Sequence, residues 1–156
     1  VFEVLISSEP LNIAALQAAL PVDALHTGAV VTFSGHVRGD GITAMALEHY
    51  PGMTERSIRA TMERAGRRWP VQVARVVHRV GELQPGEPIV WVAVSARHRA
   101  AAFSACEFIM DYLKAEAPLW KRERSAAGDW AWVAARGEDR RRAARWSGAA
   151  GESGDA

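Results

Sequence analysis

VQVARVVHRVG (71–81) and PIVWVAVSA (88–96), separated by the turn-rich LQPGEP (83–88), read as two strands dense in β-branched residues. The segment after the second strand decides the fold class. From about His98 to Ala115 the pattern changes to a helical period, with Ala102, Ala105, Phe108, Ile109 and Tyr112 on one stripe and Pro118 as the stop. Strands succeeded directly by an amphipathic helix predict helices laid on a sheet.

Working outward, residues 2–7 alternate as a strand, and Leu11 to Leu20 read as a short helix stopped by Pro21. GAVVTFSGHVRG (28–39) suits a strand that ends in a glycine-bearing loop at Gly39 to Gly41. AMALEHY (44–50) is expected to return beside it as a hairpin, broken by Pro51 and Gly52. Thr54 is the expected N-cap of a helix running to about Arg68, with Ile58, Met62 and Ala65 on its apolar face. LWKRERS and DWAWVAA read as two short strands joined at Ala127 and Gly128. The order β-α-β-β-α-β-β-α-β-β predicts an α+β domain over residues 1–146, with 147–156 a mobile tail lacking an apolar face.

Composition excludes several classes. The net charge of +1 gives no general reason to bind nucleic acid or an anionic membrane, and no run approaches the roughly 18 apolar residues of a membrane span. The opening VFEVLISSEP lacks the basic start of a signal peptide, so a cytoplasmic protein is expected. A single cysteine, Cys106, on or beside the apolar stripe, reads as a buried inert thiol. The five histidines show no HxH or HxxxH pairing, so no metal site is expected. Arg136 to Arg145 carries five arginines against Glu138 and Asp139, and reads as a solvated helix face or a tail.

Of 19 basic residues, 17 are arginine and only Lys114 and Lys121 are lysine. An ammonium differs from a guanidinium in being able to give up its proton, which singles out this pair around the segment APLW. Further cations stand at element ends: His36 and Arg38 at the close of a strand, His98 and Arg99 at the start of the long helix, Lys121 and Arg122 at the start of a strand. Helix N-termini and arginine forks suit anions, so the residues support an anionic-ligand site with possible lysine chemistry. A non-catalytic phosphate- or nucleotide-binding module would use the same cations. RNA binding through WKRER finds little support, because the aromatics are not interleaved with basic residues in a stacking pattern.

GAVVTFSGHVRG, LEHYPGMTE, RWPVQVARVVHRVGEL, PGEPIVWVAVSARHRAAAF and FIMDYLKAEAPLWKRE, running from Gly28 to Glu123, resemble the molybdopterin synthase large-subunit family. The resemblance implies an α/β hammerhead domain with an additional small antiparallel sheet. It implies a homodimer within a heterotetramer, each end carrying a small ubiquitin-like sulfur-carrier subunit with a C-terminal thiocarboxylate. The implied reaction passes sulfur to cyclic pyranopterin monophosphate (precursor Z), forming the molybdopterin dithiolene without metal or redox cofactor.

The substrate-binding set it implies is His36, Val37, Arg38, His98, Arg99, Lys114, Lys121, Arg122 and Glu123, with Lys114 and Lys121 catalytic. Two departures stand out. The family often has lysine where His36 stands here, and the loop after Arg38 is short.

Overall fold

A computed structural model describes residues 1–148. The chain runs β1 (Phe2–Ser7), α1 (Ile13–Ala18), β2 (Ala29–His36), β3 (Ile42–His49), α2 (Met53–Arg68), β4 (Val71–Arg79), β5 (Gly81–Leu83), β6 (Pro88–Ala96), α3 (Arg99–Glu116), β7 (Leu119–Ser125), β8 (Trp130–Val133) and α4 (Gly137–Ala144). Among the described residues eight strands make two sheets. The first has the order β1-β4-β6-β2, and the second β5-β3-β7-β8.

In the first sheet β1 runs parallel to β4, and the remaining pairs are antiparallel. β4 and β6, with their β-branched runs, are its centre. Their side chains are buried almost without break because both faces are covered. On one face α2 and α3 bring Ile58, Met62, Ala105, Phe108 and Ile109 against Val76, Val92 and Val94. On the other, Leu11, Ile13 and Leu16 around α1 pack over Val73, Val77, Trp91 and Ala93. The α+β class and the small extra antiparallel sheet agree with the sequence reading.

The expected hairpin of the second and third strands does not form. β2 pairs with β6, whereas β3 pairs with β5 and β7 in the other sheet. The cause lies in the backbone just after the bulge at Gly35 and His36. Val37 donates its N–H to Glu87 (3.0 Å) and accepts from Gly86 N–H (2.8 Å), so the chain is fastened to the turn before β6. It is then released into the second sheet. The run 71–81 makes the same crossing: β4 stops at Arg79, and Gly81, at φ +91°, swings the chain into β5 beside β3.

Two further expectations are corrected. Gly52, not Thr54, precedes the first turn of α2, and Glu55 accepts the Gly52 N–H at 2.7 Å. Thr54 is the second residue of the helix and is buried; its hydroxyl accepts from Tyr50 N–H and donates to the Pro118 carbonyl, both at 2.9 Å. The stretch 136–145, read as a solvated helix face or a tail, contains a fourth helix over residues 137–144 that also packs on the fold. Ala143 is buried against α3, and the Trp146 ring meets Trp69 and Phe108 edge-on. Most of the expected mobile tail, 149–156, lies outside the described residues. Among the described residues no helix is long and apolar enough to cross a membrane.

Candidate functional site

β2 and β4 end, and β6 begins, at the same end of the first sheet, where the chain crosses into the second. The C-terminal turn of α3 also arrives there. Between these elements lies a cavity of about 380 Å³. Phe33, Gly35, His36, His78 and Val90 form its wall on the first sheet; Met45, Leu47, Leu119, Lys121, Glu123 and Val133 form the wall on the second. Leu113 and Lys114 come from α3, Arg38 and Asp40 from the loop after β2, and Arg136 and Asp139 from the start of α4. Gly35 is required by close approach: a β-carbon there would stand 2.9 Å from Val90 Cγ1.

Strand alternation explains which residues of WKRE enter. Lys121 and Glu123 project from the cavity face of β7, opposite Leu47 and Met45 of β3, and their charged groups are 3.5 Å apart. Arg122 projects from the other face. There its guanidinium lies 5.1 Å from the Trp130 ring centre and 5.7 Å from that of Trp132, with Glu48 at 3.9 Å.

Lys114 and Lys121, the chain's only lysines, therefore meet in one cavity from two elements. The Lys114 side chain is open to the cavity space while the cavity walls crowd its ammonium. That crowding, reinforced by Lys121, Arg136 and Arg38, lowers its pKa from the ordinary lysine value; Asp139 acts in the opposite direction.

His78 is buried at the end of β4 with its ring Nδ1 2.8 Å from the Arg79 carbonyl. A carbonyl can only accept, so Nδ1 carries the proton and Nε2 is left as an acceptor. Burial first, with Lys114 and His49 adding to it against the Arg79 hydrogen bond, pushes the His78 pKa down to about 4. The ring is neutral near pH 7. Cys106 is buried on α3, and its thiol is pushed up to about 11, so it supplies no thiolate.

Of the residues singled out in the sequence, His36, Arg38, Lys114, Lys121 and Glu123 line this cavity. Val37 is buried beneath it with Met45, Leu47 and Leu83. His98 and Arg99 are exposed at the opposite end of α3, sixteen and fifteen residues from Lys114 and so about 22–24 Å away. His78, Arg136 and Asp139 were not foreseen. His78 looked like one more position in an apolar strand, and the other two lay in a stretch whose charge suggested solvent. Among the described residues no group of three or more His, Cys, Asp or Glu is placed to hold a metal ion.

Residues 6–116 match the family described as MoaE protein. The chain belongs to the MoaE family. A curated relative from Escherichia coli (strain K12), named molybdopterin synthase catalytic subunit, is 53% identical over 123 residues, covering 76% of this chain and 81% of that protein. Among solved structures, the molybdopterin biosynthesis MoaE protein from Burkholderia ambifaria MC40-6 is 46% identical with a TM-score of 0.80, covering 94% of this chain and 98% of that one. Molybdopterin synthase from Staphylococcus aureus is 31% identical with a TM-score of 0.74, covering 85% and 96%. The MoaE match stops at residue 116, yet Lys121, Glu123, Arg136 and Asp139 complete the cavity beyond it.

Proposed function

We propose that this MoaE-family chain is the catalytic subunit of a molybdopterin synthase. It moves sulfur from the C-terminal thiocarboxylate of a small ubiquitin-like partner onto precursor Z. One observation carries the reading: both lysines of an arginine-rich chain line a single cavity with Arg38 and Arg136. The two reactants are a thiocarboxylate and a phosphate ester, both anionic, and a cationic cavity offsets their repulsion.

Arg38 and Arg136 are suited to the phosphate, because a guanidinium fork matches its oxygens. His36 lines the same cavity and holds its ring Nδ1 3.3 Å from the Gly86 carbonyl. Sulfur attack, breakdown of the acyl intermediate and loss of water each move protons. Lys114, whose pKa is lowered, is placed to give or take them, and Lys121 steadies developing oxyanion charge. Glu123, 3.5 Å from Lys121, keeps that ammonium directed across the cavity.

The relatives' name, catalytic subunit, is the support for a second, sulfur-carrying chain. His98 and Arg99 lie too far along α3 to reach the cavity of their own protomer. A homodimer with its site near the interface gives them a role, and β2, at the edge of the first sheet, offers it a seam. The decisive assay combines this protein with a thiocarboxylated small subunit and precursor Z. Molybdopterin formation is the expected result; a bound partner with no product would overturn the assignment.

A further inference from the structure

Three acids line the cavity: Asp40, Glu123 and Asp139. Glu123 is engaged with Lys121 at 3.5 Å. Asp139 belongs to the first turn of α4 and has no cation within 4.0 Å among the described residues, whereas its neighbour Glu138 is exposed and reaches Arg142 across one turn. On the cavity side Lys114 faces Lys121 of β7, Arg136 at the start of α4 and Arg38 of the loop after β2. His78 of β4, neutral near pH 7, adds no charge. Of the acids, Asp139 is the one that acts on Lys114.

The placement of Asp139 is built into the packing of the fold. Asp111, one turn before Lys114 on α3, is buried and accepts from Trp146 Nε1 (2.7 Å) and Arg145 Nη2 (2.8 Å). Arg68 of α2 donates to the Trp146 carbonyl at 2.6 Å, and Ala143 is buried. The far end of α4 is thus clamped on α3, and its near end lies on the cavity.

We propose that Asp139 is a positioning residue for Lys114: its carboxylate, across the shared cavity, is the counter-charge that favours the ammonium form among the surrounding cations. α4 is then part of the reaction site as well as of the fold. The proposal deepens the catalytic assignment of Lys114 and rests on it for its functional meaning, but its physical content can be measured on the protein alone.

Because the chain has two lysines, amine labelling can be followed residue by residue. Dilute acetic anhydride is applied to the full-length protein across pH 7–10, and Lys114 and Lys121 modification is read by peptide mass spectrometry. Only the free amine reacts, so Asp139→Asn should speed Lys114 labelling about tenfold in the range where the amine is still mostly protonated. Asp139→Glu should restore the wild-type rate. Glu138→Gln removes an equivalent first-turn charge away from the cavity and should leave Lys114 unchanged, which separates Asp139 from a general helix-end effect. In turnover, the pH limb that vanishes in Lys114→Arg should move to lower pH in Asp139→Asn. Unchanged Lys114 labelling in a folded Asp139→Asn protein overturns the proposal. Shifted labelling with full turnover in Lys114→Arg leaves the counter-charge role of Asp139 standing and overturns the catalytic assignment instead.

Discussion

The Asp111 carboxylate on α3 accepts a hydrogen bond from the Trp146 indole beyond α4, at 2.7 Å. Arg145 donates to the same oxygen from beside it and also reaches Glu107. One buried acid thereby ties the C-terminal helix to the helix that bears Lys114. Removing the acceptor strands the Trp146 indole N–H, while Arg145 keeps Glu107. Asp111→Ala is therefore expected to cost about 1–3 kcal/mol, or a fall in Tm of about 3–9 °C. Glu107→Ala, at an exposed pair, should cost under about 1 kcal/mol. Differential scanning calorimetry on the two variants checks the contrast; equal losses would mean that the clamp does not depend on Asp111.

Replacing Lys114 by arginine separates charge from proton transfer. Guanidinium holds a phosphate at least as well as ammonium but does not release a proton near neutrality. Lys114→Arg should lose about 10²–10⁴-fold in single-turnover molybdopterin formation, with partner affinity preserved. Lys121→Arg should be milder, about tenfold, if it chiefly steadies charge. Near wild-type turnover in Lys114→Arg would leave that residue as a simple cation.

His78 makes stability depend on acid. Below pH 6.5 the unfolded chain takes up a proton that the folded ring refuses until about pH 4. The unfolded state binds more protons across that window, so stability falls as pH drops through it, by up to roughly 3 kcal/mol. Urea unfolding between pH 7.5 and 4.5 should show this slope, and His78→Gln, which does not titrate, should flatten it. An equal slope in the variant would place the acid sensitivity elsewhere.

The central strands and both long helices were legible in the sequence because each buries a strong period: β4 and β6 a nearly continuous apolar run, α3 a regular stripe. Strand pairing was not. Nothing in SGHVRGDG distinguishes a hairpin loop from a crossing between sheets, because the deciding contacts join Val37 to residues 86 and 87. α4 was hidden for a related reason. Its packed contribution is one buried alanine and, just beyond it, a half-buried tryptophan, and the five arginines of 136–145 dominate the composition. The site divided in the same way. Lysine scarcity revealed Lys114 and Lys121, which chemistry marks; His78 and Asp139 acquire meaning only from their neighbours.

If the two ends of α3 serve different cavities, the halves can be tested by complementation. Lys114→Ala and the double variant His98→Ala/Arg99→Ala should each be inactive alone. Co-expressed, half the dimers are mixed and one of their two sites is intact, giving about one quarter of wild-type activity. No recovery, or a fully active monomer by light scattering at micromolar concentration, would refute a shared site.

The clasp at Val37 has a bearing on how this protein can vary. Upstream, the strand is moored to the turn at residues 86 and 87; downstream, Ile42 is already in register with Ser125. Residues 39–41 hang between two fixed posts, and Gly41 at φ +71° has open space around it. Length can be added or removed there at little entropic expense, roughly 0.6 kcal/mol for each doubling of a flexible loop. The loop that brings Asp40 to the cavity is thus an interchangeable part, free to diverge among descendants while the lysines, held by α3 and β7, stay where they are.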